Sequence, residues 1–143
     1  MQSDNWGSAK QKRAKVKRYY QYVILTSMAR RDPSLDTLLE LHGQVLVIDE
    51  SGYWVKFVVH QVPVSPDKPH GLDYTLTLHG PDGGRWVGFD NAHPVKGQRG
   101  GAAKDHKHRL STVKSYDYTD AATLLAAFWI EVESVMREKG VWT

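Results

Sequence analysis

Leu72-Asp73-Tyr74-Thr75-Leu76-Thr77-Leu78-His79 alternates apolar and polar positions without a break, the period of a strand with one buried face. Three neighbouring runs share its strand-like composition. Gln44-Val45-Leu46-Val47-Ile48 is apolar and β-branched, and Asp49-Glu50-Ser51-Gly52 after it reads as a turn. Tyr53 to Val62 is largely apolar on both faces, which places it in the middle of a sheet. Pro63 to Pro69 holds three prolines and is a loop. Pro81-Asp82-Gly83-Gly84 is a hairpin turn, and Arg85 to Phe89 is the fourth strand. Connections this short leave no room for helical crossovers, so the strands form an antiparallel meander.

Helical spacing frames these strands. Ala121, Leu124, Leu125, Phe128, Trp129, Val132, Val135 and Met136 mark one apolar stripe, with Thr119 or Asp120 as the cap and Gly140 as the stop. Val16, Tyr19, Tyr20, Val23, Ile24 and Met28 mark a second stripe, with Lys and Arg opposite, and Asp32-Pro33 ends it. Leu35 to Leu41 suits a short turn of helix that Gly43 breaks. The fold class expected is α+β. An antiparallel sheet of four to five strands is packed by a long C-terminal helix, with a basic amphipathic helix at the N-terminus. Residues 1–31 read as a basic helical extension and residues 32–143 as one domain. Between Asp90 and Tyr118 the chain runs long for a loop, a length that usually signals function, and His106 to Val113 suits a further edge strand.

Charge sharpens this picture. The net charge is +3 over 143 residues. Met1 to Arg31 holds eight Lys/Arg against one acid, and the remaining 112 residues hold eleven against fifteen. The basic character therefore belongs to the N-terminal segment and is no nucleic-acid footprint of the whole domain. Lys96 to Lys114 is a basic island in an acidic remainder. With no Cys there are no disulfides or thiolate metal sites. No apolar run approaches a membrane span or a secretory signal core, which together with the missing Cys fits a cytoplasmic protein.

Candidate chemistry collects between Arg85 and Leu110. On an extended chain His106 and His108 point one way and Asp105, Lys107 and Arg109 the other. Two imidazoles about 7 Å apart along a strand suit RNA cleavage without metal. One takes the 2′-hydroxyl proton, the other protonates the leaving oxygen, and Arg109 and Lys107 meet the phosphate. Asp90 and Asp105 are orienting groups, and His93 can replace either histidine. Lys104, Arg99 and Asn91 are further nucleic-acid contacts. Two plainer readings stand beside this one. Asp105 to Arg109 is also what a solvated charged loop looks like, and Asp90-Asn91 is also a common turn. Asp90, His93, Asp105, His106 and His108 form an N/O donor set for Zn, Mn or Fe, but without a recognised ligand spacing, so no cofactor is expected. His42, His60, His70 and His79 read as sheet-face or surface residues.

Several runs in this sequence resemble the TumE-type toxin family of bacterial toxin–antitoxin pairs. They are Gly52-Tyr53-Trp54-Val55-Lys56-Phe57, Pro69 to His79, Val87 to His93, Asp105-His106-Lys107-His108-Arg109 and the closing helix. The likeness runs from about Leu35 to Lys139, and members of the family usually begin near Leu35, so the basic N-terminal segment is a departure. The resemblance implies a small cytoplasmic toxin partnered by an antitoxin with a helix-turn-helix DNA-binding part. It brings no mechanism with it. The functional expectation is thus a toxin that cleaves RNA through the histidine loop. The alternatives are a non-catalytic module binding nucleic acid or a partner, and a metal-dependent phosphoesterase.

Overall fold

The computed structural model describes residues 32–92 and 105–143. Ser34–Thr143 form one compact unit. The expected N-terminal helix lies outside the described residues.

Six strands pair in chain order, every pair antiparallel: β1 (Val45–Val47), β2 (Trp54–Gln61), β3 (Leu72–His79), β4 (Arg85–Asp90), β5 (His106–Arg109) and β6 (Thr112–Ser115). Among the described residues two helices accompany them, α1 (Leu35–Glu40) and α2 (Ala121–Glu138). The α+β meander is as expected, with more strands than the four to five read from the sequence. The additional strand comes from the stretch read as loop and a single edge strand. Strands β5 and β6 instead make a hairpin across Leu110-Ser111, with Leu110 at φ +53°. A left-handed leucine costs about 1–2 kcal/mol. It is tolerated here because the Leu110 side chain packs against the core and its N–H donates to the Trp86 carbonyl at 2.7 Å.

Strand alternation divides the sheet into two faces. Val55, Phe57, Val59, Tyr74, Leu76, Leu78, Val87 and Phe89 are buried beneath α2. From α2, Ala121, Leu124, Phe128, Val132, Val135 and Met136 meet them. Trp129, read as part of this stripe, is 37% exposed, so the buried stripe is narrower than the apolar pattern. Phe128 is the keystone. It stands edge-on to Phe57 of β2 at 5.7 Å and to Phe89 of β4 at 6.1 Å.

The ends of α2 are capped as the sequence indicates. Asp120 accepts from the Thr123 N–H at 2.7 Å, and Gly140 takes φ +73° beyond the last turn. The Ser34 hydroxyl accepts from the Ala122 N–H at 2.8 Å, which ties the start of α1 to the start of α2. Phe128→Ala should lower unfolding free energy by about 3–5 kcal/mol, read as an earlier urea midpoint. A loss below 1 kcal/mol would deny Phe128 this place in the core.

Candidate functional site

The pairing of β4 with β5 assembles the site. Asp90 lies opposite His106, and Gly88 opposite His108. All four positions fall on the sheet face turned away from α2, because their neighbours Phe89, Val87, Lys107 and Arg109 take the other face. The two halves read separately in the sequence, Asp90-Asn91 and the Asp-His-x-His run, therefore meet in space. The His106 Nε2 stands 3.0 Å from Asp90 Oδ1, and the His108 Nε2 stands 3.6 Å from Asp90 Oδ2. The imidazole centroids are 4.9 Å apart, edge to face. Asp90 is 1% exposed, His106 2% and His108 16%. A carboxylate this deeply buried is costly unless partnered, and two imidazoles partner it here.

Both Nε2 atoms converge on one carboxylate. His106 lies deepest and His108 reaches nearest the surface.

Lys107 and Arg109 point to the other face. Lys107 Nζ reaches Glu131 at 3.0 Å. Arg109 meets Glu131 at 3.2 Å, Glu138 at 2.5 Å and the Ser134 hydroxyl at 3.0 Å. Both cations clamp β5 to α2 and are not brought to the histidines.

A different cation is. Strand β3 pairs with β4 as Leu78↔Val87 and His79↔Arg85, so Trp86 is an extra residue on β4. Such a bulge re-aims side chains. Trp86 turns to the core beside Tyr53, at 4.8 Å. Arg85 lies across Gly88, next to His108. A Cβ at Gly88 would meet Arg85 Cδ at 3.3 Å and Nε at 3.5 Å, and His108 Cδ2 at 3.6 Å. Arg85 is exposed and has no ion-pair partner among the described residues. Sequence reasoning missed it. The glycine inside a strand, at Gly88, was the available signal.

The remaining expected residues divide into two groups. Asn91 is buried and structural: its Oδ1 accepts from the Tyr74 N–H and its Nδ2 donates to the Leu72 carbonyl, both at 2.9 Å. Its own carbonyl accepts from Lys68 Nζ. It extends the β3–β4 ladder. Asp105 accepts from the Tyr74 hydroxyl at 2.6 Å and so anchors the entry to β5. His93, Arg99 and Lys104 lie outside the described residues. Of the other histidines, His79 stacks on Trp54 at 4.1 Å and bridges Thr77 to the Gly83 carbonyl. His42 accepts from the Val59 N–H at 3.1 Å, and His70 lies against Tyr118.

Burial, the bond to Asp105 and the charge of Asp105 push the Tyr74 phenol well above its ordinary pKa. Burial and the nearby acids Asp105 and Asp120 raise that of Tyr116 as well.

The described residues thus define a class: an α+β protein with a buried histidine–carboxylate cluster on the sheet face opposite its long helix. A family model described as "Toxin TumE" matches residues 16–136. The chain belongs to the TumE toxin family, and membership of a toxin family implies an antitoxin partner. The match opens inside the basic N-terminal segment, earlier than the Leu35 start the sequence resemblance indicates, so part of that segment belongs to the family pattern. No curated protein and no solved structure matches the chain. No helix among the described residues is long and apolar enough to cross a membrane.

Two outcomes follow for the supports of the site. Asn91→Ala strands a buried N–H and a buried carbonyl at about 1–3 kcal/mol each, so its thermal midpoint should fall by several degrees. An unchanged midpoint would make Asn91 dispensable to the ladder. The folded chain holds the Tyr74 proton that the unfolded chain releases near pH 10. That stability is present below about pH 10 and declines as pH rises above it. Urea midpoints between pH 8 and 11 should show the decline, and Tyr74→Phe should make it shallower. An equal slope in both proteins would remove Tyr74 as its source.

Proposed function

We propose that this chain is the toxin of a toxin–antitoxin pair, that its target is RNA, and that cleavage is centred on Asp90, His106 and His108. The observation that supports this most is the convergence of both imidazoles on Asp90, with Arg85 laid beside His108. Proton-transferring groups and a cation on one sheet face are what a phosphodiester needs. In the reaction the 2′-oxygen bonds to phosphorus and gives its proton to the cluster. The bond to the 5′-oxygen breaks, and that oxygen takes a proton back. Arg85 offsets the charge gathering on the phosphate oxygens. Asp105 and Asn91 act as supports, and Lys107 and Arg109 hold β5 in place. His93, Arg99 and Lys104 remain candidates by sequence alone, as does residues 1–31 as a separate helical extension. The partner we propose is an antitoxin carrying a helix-turn-helix DNA-binding part, and the site of action is the cytoplasm.

Induction in a bacterial host tests the reading. Wild type should arrest growth, and His106→Ala/His108→Ala, shown to be soluble and folded, should not. RNA ends mapped after induction should show new termini with wild type only. With purified protein the double variant should lose about a hundredfold or more in cleavage rate, and Arg85→Gln about a hundredfold. Arrest by wild type and double variant alike would place toxicity elsewhere. RNA binding that weakens steeply with salt and yields no product would make the chain a binding module.

A further inference from the structure

We infer that Asp90, His106 and His108 form a binding site for one divalent transition-metal ion. This deepens the RNA reading by giving the cluster an occupant, and rests on it only for the use to which the ion is put.

The first argument is geometric. One donor atom from each of the three residues can be chosen so that all lie within 4.8 Å of one another. Ligand atoms each about 2.0–2.2 Å from a shared ion stand about 2.8–3.6 Å apart in octahedral or tetrahedral arrangement. The nitrogen-to-oxygen distances, 3.0 Å from His106 to Asp90 Oδ1 and 3.6 Å from His108 to Asp90 Oδ2, fall within that range. These distances come from strand register and not from a flexible loop. His106 faces Asp90 directly, and His108 is the next residue on the same face. Ligands on paired strands are placed more exactly than ligands on loops.

The second argument is chemical. Two imidazoles with one carboxylate suit zinc, manganese or iron, and are a poor set for magnesium or calcium, which take oxygen. The described residues supply three donors, the number that catalytic sites of this kind take from the protein. His108, the most exposed of the three, marks the side from which those positions are reached.

The third argument is electrostatic. A carboxylate at the centre of a phosphodiester site repels its substrate. With neutral imidazoles the cluster carries one negative charge. A divalent ion reverses that to one positive charge, and Arg85 adds a second beside it. Bound there, the ion would relieve the imidazoles it ligates of proton removal, by lowering the pKa of a bound water so that the resulting hydroxide would accept the proton.

The test uses the untagged full chain, stripped with a chelator and dialysed free of it. Zinc is titrated by calorimetry, and cobalt is added as a visible-absorption probe of nitrogen and oxygen ligation. Wild type should take up one equivalent of zinc and develop cobalt ligand-field bands. Asp90→Asn and His106→Gln should weaken zinc binding by more than the roughly 10–100-fold that loss of an outer-sphere partner costs. His70→Gln, away from the cluster, should bind as wild type does. Circular dichroism checks that each variant is folded, and His108→Gln, at the least buried position, carries the test if the others are not. No stoichiometric uptake by wild type overturns the inference, and so does uptake that Asp90→Asn and His108→Gln leave unchanged. The two proposals fail separately. Zinc uptake lost in variants that still arrest growth keeps the ion site and removes the RNA reading. Arrest lost in variants of a chain that never takes up zinc does the reverse.

Discussion

The register between β4 and β5 is the constraint on which the rest depends. It sets Phe89 against Lys107 on one face and Asp90 against His106 on the other. A slip by one residue would turn both histidines toward the core and set two cations in water. Register is protected from the α2 face and at the entry to β5. Beneath, Phe89 locks against Phe128, while Lys107 and Arg109 reach acids on α2. At the strand's entry, the Tyr74 hydroxyl holds Asp105. These contacts lie away from the histidines yet determine where they stand.

Charge is divided between the faces accordingly. The cations of β5 are spent on α2, where half-exposed ion pairs contribute little each but fix a direction. Among the described residues Arg85, supplied by β4 through the bulge at Trp86, is the cation left beside the cluster. The same bulge turns Trp86 inward, where the Lys139 ammonium lies 5.5 Å from its ring. One inserted residue thus serves the core and the site together.

Much of this was legible in the sequence. The alternation of Leu72 to His79 gives β3 with its bounds, and Asp120 and Gly140 mark the ends of α2. Asp90, His106 and His108 stand out by composition. Their meeting did not, because pairing across a long intervening segment leaves no local trace. Lys107 and Arg109 drew attention as fixed positive charges beside histidines. Alternation alone put them on the opposite side, but their partners Glu131 and Glu138 lie more than twenty residues on. Asn91 read as a nucleic-acid contact, with a turn at Asp90-Asn91 as the plainer alternative. Its two buried backbone bonds depend on β3, which the local pattern around it does not reveal. Arg85 was hidden because a bulge reverses the parity from which faces are counted.

Strand β4 ends at Asp90 and β5 begins at His106, its direct neighbour across the sheet. The intervening chain leaves and rejoins the sheet at adjoining positions. Closing such a connection costs only about 0.6 kcal/mol more for each doubling of its length. The spacing of Asp90, His106 and His108 is thereby set by the pairing of β4 with β5 and not by the length of chain between them. That length can change while the cluster keeps its dimensions.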